Sequence, residues 1–338
     1  MLLATLITNF ANTKNQIFEE DQSNDPDGYR YKYLCLKNEL AKHSINIATP
    51  DINKISKSRI NIYVDIPKRI IVNSKAISVL IIVENPAIYK KNWIKSYHDL
   101  FDLIFTWNDK YVDNKKYYKF QFTYKFPQEV FKIPFNKKKF LTLISENKKI
   151  NHENELYSER RRAIRWLEKN IPDDFDLYGR SWNKLVSANK FFNFLYSKLI
   201  HPISFFNIKT ISYKGDIFDK VKTLSLYKFS ICYENSSNYS GYITEKIFHC
   251  FFSNVVPIYL GANNIDNFIP SNCYIDKNKY KNYSDLIFFL KSINKKQYEE
   301  YLENINNFLN SKEAEQFKSE VYSKFIVEKI LNHINNNS

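Results

Sequence analysis

Short apolar runs recur along the first third of the chain, at 2–7, 45–49, 60–66, 77–83 and 103–107, most of them rich in β-branched residues and closed by polar or proline-bearing turns. Runs of this length and composition predict β-strands. They are continuous rather than alternating, so both faces of the sheet should be covered, which favours parallel strands with helices on either side. Residues 31–42 supply one such helix, with Tyr33, Leu36, Leu40 and Ala41 on a single face.

Pro127, Pro134 and the basic run after them predict a linker. A second series then begins, with strands expected at 140–145, 175–178, 229–233 and 255–260 and helices at 155–170 and 244–253. From 297 onward the pattern is helical, and 321–334 carries Tyr322, Phe325, Ile326, Ile330 and Ile334 at apolar positions. Flanking lysines leave two readings of that last helix, one lying on a membrane surface and one packing back across the domains as part of the core; the pattern favours the second. The expected fold is α/β, with two Rossmann-like doubly wound domains facing across a cleft. Their predicted extents are 1–135 and 136–310, followed by a helical tail at 311–338.

Composition narrows the class. A chain of 338 residues with 44% hydrophobic and 17% aromatic residues can bury two cores. Cys35, Cys232, Cys250 and Cys273 form no Cys-x-x-Cys pair, which argues against a disulfide framework or zinc knuckle and fits a reducing compartment. The opening residues are apolar but have no basic residue before Lys14, so they read as a first strand rather than a secretory leader. The longest apolar run, near 76–83, falls far short of the roughly 20 residues that cross a bilayer. A cytoplasmic protein is expected, peripheral at the inner face of the membrane if the last helix lies there.

A formal charge of +14 suits nucleic acid, an anionic membrane or an anionic substrate. Lysine is spread over the whole chain, with clusters only at 136–139 and 158–165, so a solvated basic surface with local anion sites is expected and a nucleic-acid stripe is not. Gly28, Gly179, Gly215, Gly241 and Gly261 lie too far apart for a Gly-x-Gly-x-x-Gly or Walker loop. A bound diphosphate would have to rest on Arg, Lys and a helix N-terminus. The six histidines show no metal-ligand spacing, and Asp173-Asp174-Phe175-Asp176 precedes its strand, whereas ligands of open α/β sheets lie beyond the carboxyl ends. No dedicated metal ligands and no required cofactor are expected, which leaves room only for non-essential stimulation by a divalent metal.

The segment richest in chemistry runs from Tyr227 to Gly261. A strand ends at Glu234-Asn235, a Ser/Asn-rich loop follows, and a helix opens near Thr244, a good N-cap whose first-turn amides favour an anion. Glu245 can take both hydroxyls of a ribose, Lys246 can neutralise charge that grows on a phosphate, and Tyr242 offers a stacking or hydrogen-bonding surface. Taken alone, Thr244-Glu245-Lys246 is an ordinary capped helix start.

Three blocks change that reading: Tyr233-Glu234-Asn235-Ser236, Tyr242-Ile243-Thr244-Glu245-Lys246 and Val256-Pro257-Ile258-Tyr259-Leu260-Gly261. In this order they closely resemble the donor-binding signature of the α-1,3/1,4-fucosyltransferases, glycosyltransferase family ten, with Tyr233 where Phe is commoner. The likeness is strong over about 140–276 and thinner before it. It implies a GT-B fold and inverting transfer of L-fucose from GDP-fucose to a glycan hydroxyl, in an α-1,3-type linkage, without a tightly held metal. It further implies that Tyr242, Glu245 and Lys246 bind GDP-fucose while Glu234 and Asn235 shape the site. Ser145-Glu146-Asn147-Lys148 and Glu159-Arg160-Arg161-Arg162 resemble the family's Ser-Asn segment and arginine-bearing helix, which makes Arg160 the first choice and Arg162 the second for the diphosphate contact. A solvated basic helix face is the plain alternative for either arginine.

An inverting transfer needs a general base. Glu84 directly follows the strand at 77–83, and Glu84-Asn85-Pro86 is similar to a turn in the family's N-terminal domain; the competing reading is a carboxylate that only caps a turn. The expected partners are GDP-fucose and an oligosaccharide or glycoconjugate acceptor, with lipopolysaccharide among the acceptors this leaves open. Three rival readings are a relative using another GDP-sugar, a basic nucleic-acid-binding protein, and an inert carbohydrate-binding relative, the last opposed by the presence of both Glu84 and Lys246.

Overall fold

The apolar runs form two wholly parallel sheets in the computed structural model, which describes residues 1–9, 13–20, 28–71, 73–130, 132–184, 186, 187, 189 and 211–336. The first sheet contains β1 (Leu2–Thr8), β2 (Ile45–Ala48), β3 (Ile60–Val64), β4 (Ile77–Ile82), β5 (Leu103–Thr106) and β6 (Tyr117–Lys119). Its order is β2-β1-β3-β4-β5-β6. Every residue of β3 and β5 is buried, as expected for central strands covered on both faces. The second sheet contains β7 (Lys139–Ile144), β8 (Phe175–Tyr178), β9 (Tyr227–Tyr233), β10 (Val256–Leu260) and β11 (Ile275–Asp276), in the order β11-β10-β9-β7-β8.

The helices are α1 (Tyr31–Lys42), α2 (Lys95–His98), α3 (Tyr157–Asn170), α4 (Lys220–Ser225), α5 (Glu245–Phe252), α6 (Tyr283–Ser292), α7 (Lys295–Leu309) and α8 (Ser319–Asn336). The strand anticipated at 60–66 stops at Val64, because Asp65 turns into the left-handed region with φ 60°. Asp and Asn are the side chains that enter this region most readily. β6 and β11 are too short, at three and two residues, to leave an apolar signature in the sequence.

The chain packs into two compact units. The first comprises Met1–Phe126, Ser240–Tyr242 and the chain from Ala314 onward; the second comprises Pro127–Tyr239 and Ile243–Glu313. This corrects the predicted boundary after residue 135. Phe135 packs on Tyr298 at 5.2 Å and Lys138 donates to the Asn254 carbonyl at 2.6 Å, so both are held by the second core. The last helix packs back as part of a core, the reading its pattern favours, and it belongs to the first unit. α8 buries Tyr322, Ser323, Ile326, Val327 and Ile330, a stripe at helical spacing that packs on α1 and its buried Tyr33, Leu36 and Leu40. No helix among the described residues is long and apolar enough to cross a membrane.

Each sheet has a point where successive crossovers go to opposite sides. In the first, β2 lies on one side of β1 and β3 on the other; in the second, β8 and β9 flank β7. Open parallel sheets bind ligands beyond the carboxyl ends of the strands at such points. In the second unit those ends belong to β7 and β9, which carry the motif residues.

Candidate functional site

Glu234 leaves the end of β9, its amide donating to the Leu260 carbonyl at 2.8 Å. Its side chain is 0% exposed. One carboxylate oxygen accepts from the Thr244 amide at 2.7 Å and the other from the Thr244 hydroxyl at 2.5 Å. Thr244 does occupy the N-cap of α5, but its side chain makes no capping hydrogen bond; it is spent on Glu234, and the buried carboxylate satisfies the Thr244 amide instead. Gly261 makes room for this: a Cβ there would lie 2.4 Å from Glu234 Cγ and 2.6 Å from the Tyr259 hydroxyl.

Lys246 completes the cluster. Its Nζ lies 3.0 Å from Thr244 Oγ1, 3.1 Å from Glu245 Oε1 and 3.4 Å from Glu234 Oε2, with its side chain 22% exposed. Burial pushes the Glu234 carboxyl up, opposed chiefly by the charge of Lys246. Burial acts the same way on Glu245, but there Lys246, Lys220 and His249 outweigh it and the carboxyl is held well below the usual carboxylate range. For Lys246 burial favours the neutral amine, yet Glu245 and Glu234 prevail and raise its pKa, so it stays an ammonium. A buried ion pair persists only when hydrogen bonds and opposite charges offset a desolvation cost of several kcal/mol per ion. Here the Thr244 amide and hydroxyl supply the hydrogen bonds.

Arg160, buried on α3, donates from Nη2 to the Tyr233 carbonyl at 2.7 Å, the Glu234 carbonyl at 2.5 Å and Asn235 Oδ1 at 3.0 Å, with its guanidinium over the Tyr157 ring. It therefore ties α3 to the carboxyl end of β9, and its charge is felt by Lys246. Arg162 points the other way, paired with Glu159 and 71% exposed. Of the two arginines, the structure brings only Arg160 to Glu234, Asn235 and Lys246. In the cluster so formed Lys246 is the partly exposed cation, with Arg160 buried beside the same strand end, and such a charge can meet an anion and stabilise charge as it develops there.

Tyr242 lies in the first unit, although its motif neighbours Glu245 and Lys246 lie in the second. It is 2% exposed, with its ring against Trp107 at 4.7 Å and Phe122 at 5.9 Å. Its hydroxyl accepts from Asn85 Nδ2 at 2.8 Å. Gly241 adopts φ +82°, and a Cβ there would meet the Trp107 carbonyl oxygen at 2.3 Å, so this segment fits only as glycine.

Glu84 follows β4 at the carboxyl end of the first sheet. Its amide donates to Asp65 Oδ1 at 3.1 Å, and its carbonyl accepts from Asn92 Nδ2 at 3.3 Å and Trp93 Nε1 at 3.1 Å. Asn85 closes the turn, Oδ1 accepting from the amides of Ala87 at 2.9 Å and Ile88 at 3.2 Å. The sequence reading missed Asp65, Asn92 and Trp93. The available cue was an Asp just before Ile66-Pro67, hidden because the strand was drawn through it.

Two members of the acidic cluster at the start of β8 are spent in ion pairs, Asp174 with Lys291 at 2.8 Å and Asp176 with Lys139 at 2.8 Å and Lys214 at 3.3 Å. Among the described residues no group of three or more His, Cys, Asp or Glu side chains is arranged to hold a metal ion.

Comparison with known proteins agrees with the motif reading. Over 150 residues, 41% of this chain and 31% of the relative, the sequence is 28% identical to the alpha-(1,3)-fucosyltransferase FucT of Helicobacter pylori. Over 70 residues, 21% of this chain and 17% of the relative, it is 38% identical to an alpha-(1,4)-fucosyltransferase of Arabidopsis thaliana. The matched stretches thus span less than a third of each relative's length. In fold, the chain resembles the crystal structure of an alpha1,3-fucosyltransferase with GDP, with a TM-score of 0.54 and 16% identity over 89% of this chain and 81% of that one. It also resembles HepE of Anabaena, solved with UDP-glucose, with a TM-score of 0.53 and 7% identity over 98% and 99% of the two chains. The α/β architecture of two Rossmann-like units is that of the GT-B glycosyltransferases. The model of the C-terminal part of glycosyltransferase family 10 (fucosyltransferase) matches residues 134–336, more than half of the sequence, and the chain belongs to that family.

Proposed function

We propose that the protein is an inverting fucosyltransferase that moves L-fucose from GDP-fucose to a hydroxyl of an oligosaccharide or glycoconjugate acceptor, in an α-1,3-type linkage. The observation that carries this reading is Lys246, an ammonium kept charged by Glu234 and Glu245 at the carboxyl end of β9 with Arg160 beside it. As the glycosidic bond lengthens, negative charge gathers on the departing diphosphate. Lys246, Arg160 and the first-turn amides of α5 meet that charge, a role that works best where the donors are fixed beforehand. Glu245 remains ionised and is suited to take the ribose hydroxyls.

Inversion requires the acceptor oxygen to attack the anomeric carbon from the face opposite the leaving GDP. Glu84 is the proposed base for the proton that this oxygen loses. No dedicated metal ligand or cofactor forms part of the proposal, and the apolar stripe of α8 is already covered by α1. The family membership and the fucosyltransferase relatives support fucose as the transferred sugar.

An acceptor array with GDP-fucose, with linkage analysis of the product, tests the proposal. Wild type should release GDP and yield an α-1,3-linked fucoside, while Glu84→Gln should lose about 10²- to 10⁴-fold in kcat and still bind GDP. Faster GDP release from GDP-mannose than from GDP-fucose would overturn the donor. Full activity of Glu84→Gln would overturn the base.

A further inference from the structure

We infer that Asp65 is a positioning residue that sets the geometry of Glu84. The inference rests on the reading of Glu84 as the general base, and its grounds lie wholly in the first unit.

The parallel ladder between β3 and β4 ends with Val64 opposite Ile81. Beyond that point the chain still has to carry Val83 and Glu84 forward, but β3 has turned away at Asp65 and the ladder on that side of β4 has ended. The Asp65 side chain takes the place of the missing strand. Its Oδ1 accepts from the Val83 amide at 2.7 Å, the Glu84 amide at 3.1 Å and Asn92 Nδ2 at 2.7 Å, while its own amide makes a last ladder-like bond to the Ile81 carbonyl at 2.9 Å. The left-handed φ of 60° is what aims the side chain back along β4.

The carbonyl side is fixed as well. Trp107 Nε1 donates to the Val83 carbonyl at 3.0 Å, and Asn92 and Trp93 hold the Glu84 carbonyl. Asn92 is itself set by the Ile66 amide, which donates to its Oδ1 at 2.8 Å. The peptides on both sides of the Glu84 Cα are therefore anchored, which fixes where its side chain departs from the backbone. A base misplaced by about 1 Å can lose on the order of 100-fold in rate. Three donors converging on one oxygen ask for an anionic or strongly polar acceptor. Burial works against the anion, and these same hydrogen bonds work for it.

The test measures kcat, the KM for GDP-fucose and thermal unfolding for Asp65→Ala, Asp65→Asn, Glu84→Gln and the double variant Asp65→Ala/Glu84→Gln. Asp65→Ala should lower kcat by about 100-fold with KM within about threefold of wild type. Asp65→Asn, which keeps an oxygen at the same place, should recover kcat to within about tenfold, and the double variant should be no slower than Glu84→Gln alone. The inference is overturned if Asp65→Ala keeps wild-type kcat while Glu84→Gln loses it, or if the two losses multiply in the double variant. Full kcat in Glu84→Gln would instead remove the base assignment. Should Asp65→Ala not fold, Asp65→Ser carries the same comparison.

Discussion

Each unit buries a carboxylate just past the end of a central strand, and the two are satisfied in opposite ways. Asp65, after β3, is hydrogen-bonded by two peptide amides and an asparagine side chain, all neutral. Glu234, after β9, takes an amide and a hydroxyl from Thr244 and faces the ammonium of Lys246. Burial raises the pKa of both. Neutral donors make a rigid turn, and the cation that acts on Asp65, Lys32, ranks behind them. The charged arrangement instead keeps a lysine ionised, with part of its surface accessible, and so gives the second unit a way to attract an anion. On this view the first unit contributes geometry and the second contributes field.

Removing the field should have the largest effect. Lys246→Met is expected to lower kcat by about 10²- to 10³-fold, the usual cost of losing one fixed donor to developing charge. It should also destabilise the fold by about 3 kcal/mol, because Glu234 loses its opposite charge while buried. Chemical denaturation beside initial rates would check both. An unchanged kcat would dissolve the contrast between the units.

Crowding Glu234 should cost less. Gly261→Ala puts a methyl group against its Cγ and the Tyr259 hydroxyl, and about 1–3 kcal/mol of stability should go with it. If kcat falls in parallel, the carboxylate's position matters as well as its charge.

Lys138 offers a sharper probe of burial in the second unit. It is 6% exposed, donates to the carbonyls of Tyr227 and Asn254, and burial pushes its pKa down to about 8. A lysine whose pKa falls on folding binds fewer protons folded than unfolded, so it makes stability rise with pH between about 8 and its ordinary 10.5. Lys138→Met should remove that rise, on the order of 1–2 kcal/mol between roughly pH 7 and 9.5, from the difference between variant and wild type. A difference that is flat with pH would mean that the amine is solvated.

The smallest expected change is also diagnostic. Tyr242→Phe removes one buried hydrogen bond to Asn85 and should cost about 1 kcal/mol. The account places Tyr242 with the turn that carries Glu84, so kcat should fall more than GDP affinity does. A larger loss in affinity would move this residue to the donor's side of the comparison.

Much of this was legible before any coordinates. Continuous apolar runs gave the parallel sheets, because strands buried on both faces need no alternation, and α1 was placed by its apolar stripe alone. Glu234, Asn235, Glu245, Lys246 and Arg160 were all named, and the structure gathers them in the second unit. What the sequence does not show has physical causes. Thr244 holds the N-cap of α5 as its pattern predicts, but its hydroxyl is spent on a carboxylate ten residues earlier, a tertiary contact with no local signature. The resemblance groups Tyr242 with Glu245 and Lys246, and no local pattern announces the packing of its ring on Trp107 and Phe122. The resemblance ranks Arg160 ahead of Arg162, and helical periodicity puts the first inward and the second outward. Asp65 was invisible because a left-handed residue ends a strand without disturbing its apolar pattern.

Calorimetric titration of GDP into the folded wild-type chain and into Lys246→Met tests the central claim most directly. The account predicts saturable binding at one site per chain and an affinity at least about 100-fold weaker in the variant, the loss of a charge-assisted contact to phosphate. No heat with wild type, or equal affinity in both, would contradict it.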